Sequence, residues 1–527
     1  MKYLTLLIFF SWISLFAQSE FIVNTTLTGV QRDPQIARDA AGNYAVVWKS
    51  EAHADPTSRG DIVLRFFNAG DSAVSEEILV NTVTEGDQDK PAIAMNARGD
   101  LVVAWASFTG FDELYDIKAR IYINRAPASE EFLVNTTTLH TQTNPAVAID
   151  DSGTFIVAWD SWFQDGGDRG VYACLFDANG TPASPEFRVN QTTAYSQAKP
   201  GVKIRGDGSF VVVWESWKQD IVTPSGYGVF GRIFNADGSA RTNEFQVNTY
   251  TNDYQWFGDL EVFDDNSFAV VWCSWEQDGD DGGIYAQRFD AQGIKTGTEE
   301  LVNKTTVNYQ WLPKIRKLSG GGFAVAWSSW KQDGDREGVY ARLFDETNRA
   351  VSFETQVNQH EHSFQWEPDF VVTPDDGLLV VWSSWGQTGN DYDVVARRVT
   401  PIKPQGFIRQ PEGNKTSGRS TTQIFVHVVD STALTGETYD VSFDSLGTER
   451  FSAHVVKLAT GDTVVSAYPL DRGSSVFYLT PPFDGVALEI VPEFSFDIDY
   501  GGSSFVNHSG TNLLFQVDKP TAGVWKL

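Results

Sequence analysis

"WDSWFQDGGDRGVYACLFDANG", residues 159–180, returns as "WCSWEQDGDDGGIYAQRFDAQG" at 272–293 and as "WSSWKQDGDREGVYARLFDETN" at 327–348. Working outward from these copies, a Val-Asn pair recurs with its Asn at Asn24, Asn81, Asn135, Asn190, Asn248, Asn303 and Asn358, at intervals of 54 to 58 residues. Seven residues after each stands a glutamine: Gln31, Gln88, Gln142, Gln197, Gln255, Gln310 and Gln365. Seventeen further on comes a tryptophan (Trp48, Trp105, Trp159, Trp214, Trp272, Trp327 and Trp382), and two after that a serine. Self-similarity at a fixed period of this length marks a repeat architecture.

Each copy reads as four short strands, which in the fourth are "KPGVKIR", "FVVVWES", "GVFGRIF" and "EFQVNT". They alternate with period two, are rich in β-branched and aromatic residues, and are separated by turn signals. Eleven residues after each Gln the first hairpin carries Gly42, Gly99, Gly153, Gly208, Asn266, Gly321 or Asp376, residue types that accept positive φ at least cost. Seven units of four strands predict an all-β fold, a seven-bladed β-propeller. The phase predicts its closure. Residues 20–25, "EFIVNT", form a fourth strand without a preceding three, and the last copy lacks a fourth strand, so the N-terminal strand is expected to complete blade 7 and remove the open edges.

Asp and Glu number 69 against 40 Lys and Arg, a formal charge of −29, which argues against a nucleic-acid partner that needs phosphate neutralisation. The start, "MKYLTLLIFFSWISLFAQSE", has one lysine, an apolar run from Leu4 to Phe16 and the small residue Ala17, the layout of a secretory signal expected to be cleaved near Ala17. No other stretch approaches the roughly 20 apolar residues of a membrane span. The expected location is therefore secreted or at the cell surface. Cys174 and Cys273 lie in different repeats and make no disulfide framework. The domain reading is a signal at 1–17, a propeller at 18–399, a polar Pro/Gly-containing linker at 400–422 and an alternating-strand β-sandwich at 423–527. A closed ring is expected to be monomeric.

Loops alternate between two faces of a propeller. The Gln-bearing loop shares one with the "SWxQDGD" loop, and because that loop varies in length this face is the expected working surface. A second tryptophan follows the strand tryptophan at Trp162, Trp217, Trp275, Trp330 and Trp385, and a third follows Gln at Trp256, Trp311 and Trp366. Aromatic surface thus gathers on one arc. Indoles beside amides and carboxylates suit a sugar-binding site, with Gln255, Gln310 and Gln365 as candidate contacts; the other reading has the tryptophans cap the blade ends and the Gln column tie adjacent blades. The strand tryptophans read as packing between blades. Asp278, Asp280, Asp333 and Asp335 raise calcium as the one candidate cofactor, but "QDGDDGG" lacks the D-x-D-x-D-G order, which favours a solvated acidic loop. The repeat is broken at Arg32 and Asp33, at the loop with His53 and Asp55, and at His360 and His362.

The composite "VVW.SW.QDG...GVYA..FDA.G....EF.VNT" resembles the tandem repeats of large secreted bacterial surface and adhesin-like proteins, a resemblance that implies location and architecture more than chemistry. The pattern "P.IA.D..G.FVVVW" is distantly similar to sialidase-type propellers, departing from their Asp-box by one extra residue between Asp and Gly and by the missing Thr-Trp ending. The C-terminal strands weakly resemble immunoglobulin-like spacer modules. The expectation is a binding or adhesion protein whose loop face takes a glycan or an extracellular protein. A structural spacer and a glycan-cleaving hydrolase are its rivals.

Overall fold

The computed structural model describes residues 19–401, apart from 52, 54–58, 109, 111–113, 221–225 and 390, and the strand backbones between Gln423 and Gln516. The expected signal segment, and the expected linker beyond Pro401, lie outside the described residues. Seven antiparallel sheets form the blades of a propeller. Their first strands all open on the glutamine column: Gln31–Arg38, Gln88–Met95, Gln142–Ile149, Gln197–Ile204, Gln255–Val262, Gln310–Lys317 and Gln365–Val372. The second strands, such as Phe210–Trp217, are buried on both faces because each blade is covered by a neighbour on either side. The strand tryptophans are at most 1% exposed and sit between blades; Trp214 of blade 4, for example, shares a cluster with Val171 and Val189 of blade 3. The hairpin residues Gly42, Asn266 and Asp376 have positive φ, as their positions require.

Blade 7 is completed by Phe21–Ile22, which pairs antiparallel with Tyr392–Val399 in the register Phe21↔Ala396 and Ile22↔Val395. The Val23 amide then donates to the Val394 carbonyl at 2.8 Å, and the Val394 amide to Asn24 Oδ1 at 2.8 Å. The same bond recurs around the ring, as in Val171 N to Asn190 Oδ1 and Val229 N to Asn248 Oδ1, both 2.8 Å. The Val-Asn column therefore fastens each outer strand to the third strand of its own blade.

The lattice between blades is built from polar columns. Asn190, Asn248 and Asn303 donate across the blade boundary to Oε1 of Gln197, Gln255 and Gln310, at 3.3, 3.2 and 2.9 Å. Trp48 and Trp105 donate their indole N–H to Gln31 and Gln88. A glutamate four residues before each Asn accepts the amide that follows the Asn of the preceding blade. Glu131 takes Thr82 N at 2.7 Å, Glu186 takes Thr136 N at 2.6 Å, Glu244 takes Gln191 N at 2.7 Å and Glu354 takes Lys304 N at 2.7 Å. Glu77 and Glu299 do the same with Thr25 and Thr249, and Glu20 closes the circle on Gln359. Each bond satisfies a loop amide with a charged acceptor, the stronger class of hydrogen bond.

Every inner strand also carries a bulge. Pairing with the second strand is interrupted after the second residue, and the third residue has positive φ in all seven blades: Asp33, Lys90, Asn144, Lys199, Phe257, Leu312 and Glu367. The fourth residue is proline in six blades and Gly258 in the fifth. Proline donates no ladder bond, so a strand that must hold one breaks its register there.

In the C-terminal part, Gln423–Val428 pairs with Val486–Val491, which pairs with Phe477–Phe483, and a second antiparallel sheet joins Thr463–Asp471, Arg450–Lys457, Thr438–Ser445 and Leu513–Gln516. The packing of one sheet on the other that a sandwich requires rests on side chains outside the described residues.

Candidate functional site

The seven bulges place their third residues at the Gln end of the inner strands, where successive blades come within side-chain reach. Lys90 Nζ stands 3.4 Å from Asp33 Oδ2 across blades 2 and 1, and the Asp33 amide donates to Glu367 Oε2 of blade 7 at 3.2 Å. Lys199 Nζ lies 4.1 Å over the Phe257 ring, and that ring lies 5.8 Å from Trp311. Unlike the lattice columns, this column varies, with six residue types in seven blades. Its left-handed backbone holds bulky and charged residues at a cost on the order of 1–2 kcal/mol each, strain of the kind that gathers at functional sites.

From this ring an aromatic relay runs outward over blades 4 to 7. Ring centroids follow one another at 5.9 Å (Trp217 to Tyr254), 4.9 Å (to Trp256), 5.3 Å (to Phe257), 5.8 Å (to Trp311), 5.7 Å (to Trp366), 6.0 Å (to Tyr392) and 4.9 Å (to Trp385). A branch through Trp275, Tyr309, Trp330 and Phe364 rejoins it at Trp366. Seven of the eight tryptophans singled out in the sequence thus form one surface. Trp162 stands apart in blade 3, under the Arg169 guanidinium at 4.4 Å. Trp256, Trp311 and Trp366 are half-buried, and Trp256 and Trp311 rest on the core cluster of Val271, Cys273 and Val325. They are both packing residues and surface, which merges the two sequence readings.

At the seam of blades 7 and 1 the relay meets charge. Asp33 Oδ2 lies 3.5 Å from Arg32 Nε and 3.4 Å from Lys90, and Ser383 Oγ donates to Glu367 Oε2 at 2.9 Å. Burial pushes the Asp33 carboxyl up, but the Lys90 and Arg32 charges outweigh it and hold the group below its ordinary value. Burial and then the Asp33 charge push Glu367 the other way, well above its ordinary value. Two neighbouring carboxyls are thereby pushed in opposite directions, Asp33 toward the ionised form and Glu367 toward the protonated one. Of the repeat breaks noted in the sequence, Arg32 and Asp33 fall at this seam. His53 instead contacts Thr26 and Glu77, and Asp55 lies outside the described residues. The His360 and His362 rings are 6.0 Å apart.

Gln255, Gln310 and Gln365 are fully buried. Their Nε2 groups donate to the carbonyls of Asn252, Val307 and His362, which ties each to the loop before its own strand. The acidic loops have internal duties. Asp278 Oδ1 and Asp333 Oδ1 each accept the amide two residues on, Asp333 Oδ2 accepts Asn358 Nδ2 at 2.9 Å, and Asp280 and Asp335 each accept the amide of Asn308 or Ser363 in the next loop at 2.8 Å. Among the described residues no three His, Cys, Asp or Glu side chains group as a cation site. The glutamate column and the bulge ring were absent from the sequence reading, although Glu four residues before each Asn and Pro three after Gln were there to find.

No protein-family model matches the chain, and no curated protein matches it in sequence. Similar solved structures include a protein of unknown function from Dyadobacter fermentans, at 11% identity and TM-score 0.43 over 62% of this chain and 97% of that one. The NanB sialidase of Streptococcus pneumoniae aligns at 11% identity and TM-score 0.40, over 72% of this chain and 70% of that one. An ulvan lyase, a polysaccharide lyase bound to a GlcA-Rha3S unit, aligns at 9% identity and TM-score 0.47, over 70% and 94%. At these identities the likeness is one of fold. By fold and site this chain is a seven-bladed propeller with an asymmetric aromatic and charged mouth.

Proposed function

We propose that the propeller is a carbohydrate-binding module of an exported, surface-associated adhesion protein, with a glycan laid along the relay from Trp217 to Trp385. The continuous run of half-buried rings at 4.9 to 6.0 Å carries this reading. Pyranose faces stack on such rings, and a platform resting on the core holds them in place without loss of side-chain freedom on binding. A glycan array on the full chain, followed by titration, tests it. Trp311→Ala and Trp366→Ala are expected to weaken the best ligand by about tenfold or more, whereas Ile294→Ala, on an exposed turn of the opposite face, leaves it unchanged. An array without a ligand, or binding indifferent to both tryptophans, returns the protein to the spacer reading.

The split pair Asp33 and Glu367 favours a second reading, in which the bound glycan is cleaved by acid–base chemistry. Following the incubated glycan for shortened chains decides between the two. A length distribution unchanged from acid to mildly alkaline pH leaves binding alone.

A further inference from the structure

The cations of the mouth sit where the repeats disagree. Lys90 and Lys199 occupy the bulge position that in other blades is Asp33, Asn144, Phe257, Leu312 or Glu367, and Arg169 opens a third strand where blades 4 and 7 have Tyr227 and Tyr392. Each is paired with an acid, but the two partners are unequally placed. Lys199 is 40% exposed and its partner Glu215 4%, at 3.5 Å; Arg169 is 29% exposed and Asp160 0%, at 3.3 Å; Lys90 is 40% exposed and Asp33 16%, at 3.4 Å. In each pair the carboxylate is the more deeply buried partner and the cation the more exposed. Glu215 already accepts the Phe257 amide at 2.6 Å, and Asp160 accepts Asn144 Nδ2 at 3.0 Å. An ammonium carries three donors and a guanidinium five, so single long contacts leave most of them free.

Two cations lie on rings of the relay and its branch, Lys199 over Phe257 and Arg336 over Phe364 at 4.6 Å, and Arg169 covers Trp162 beside it in blade 3. A chain of net charge −29 thus gathers cations among the rings of its proposed binding face. We propose that the ligand is an anionic glycan, whose carboxylate or sulfate groups are met by Lys90, Arg169, Lys199 and Arg336 while its sugar faces rest on the rings. This rests on the carbohydrate reading above. Arg169 and Arg336 follow Asp168 and Asp335 in the acidic loops, so what the cations offer a ligand is direct contact rather than a long-range field, which salt screens.

The experiment compares matched polymers on the full chain at about 0.15 M salt: polygalacturonate against its methyl ester, and dextran sulfate against dextran. One anionic member is expected to bind about tenfold tighter than its neutral partner, and the pair that responds tells uronate from sulfate. Raising the salt to about 0.5 M is expected to erase most of that preference. The double variant Lys90→Gln, Lys199→Gln reduces the preference about fivefold or more, with Lys317→Gln on the opposite face as the unaffected control. Equal binding of neutral and anionic partners overturns the inference and leaves the carbohydrate reading standing. Failure of all four polymers, together with an array lacking any ligand, removes both.

Discussion

Glu337 opens the third strand of blade 6 opposite Trp330, is 2% exposed, and has no partner for Oε2. Burial pushes its carboxyl from 4.5 up to about 7, so folding favours the protonated form. With the folded value above the unfolded one, the stabilising contribution is full below 4.5 and is lost as pH rises through about 7. Glu337→Gln removes the ionisation. Its melting temperature is expected to exceed the parent's at about pH 8 by the equivalent of up to about 3 kcal/mol, and to match it near about pH 5. A difference that is the same at both pH values would show that ionisation carries no penalty there.

At the scale of the strand, the segment Phe21–Ile22 is as short as outer strands such as Phe187–Arg188 and Phe245–Gln246, and side chains extend its hold. Asn24 bonds Asp393 at 2.8 Å, Arg65 reaches the Val23 carbonyl at 2.6 Å, and Glu20 accepts from Gln387 at 2.7 Å. Deleting residues 20–25 exposes the edge of Tyr392–Val399 and removes Val23 from its cluster with Trp48 and Val394. A large drop in melting temperature with aggregation is expected; unfolding that coincides with the parent's by both heat and urea speaks against closure. This closure was legible in the sequence from repeat phase alone, because a ring needs as many fourth strands as first strands. The bulges were not read, because alternation of apolar residues survives a bulge and only the proline column betrays the lost ladder bond. The glutamines were legible as a lattice through their sevenfold identity. Their partners were not, since Asn, Gln and Glu meet across a blade boundary.

At the scale of the molecule, invariance and variation divide the labour. Columns that repeat seven times hold the ring, and the variable bulge column lies where the blades meet at its centre. Blades 5 to 7 also carry a buried clamp, in which Arg316 spans Asp259 at 2.9 Å and Asp369, and both acids accept backbone amides, Ile315 N at 3.1 Å and Ile36 N at 3.0 Å. Aromatic arc and ionic clamp therefore share one half of the ring. No single repeat reveals this, because the asymmetry appears only when seven copies are laid side by side.

The antiparallel pairing of Phe21–Ile22 with Tyr392–Val399 has a mechanical consequence. The chain enters the short strand and leaves the long one at the same end of blade 7. A pulling force between the segment before Glu20 and the segment after Val399 therefore loads the closing bonds one after another, as a peel, and not all together in shear. Under tension the ring opens first at this blade, while the other six, whose four strands are joined in sequence, carry none of the load directly.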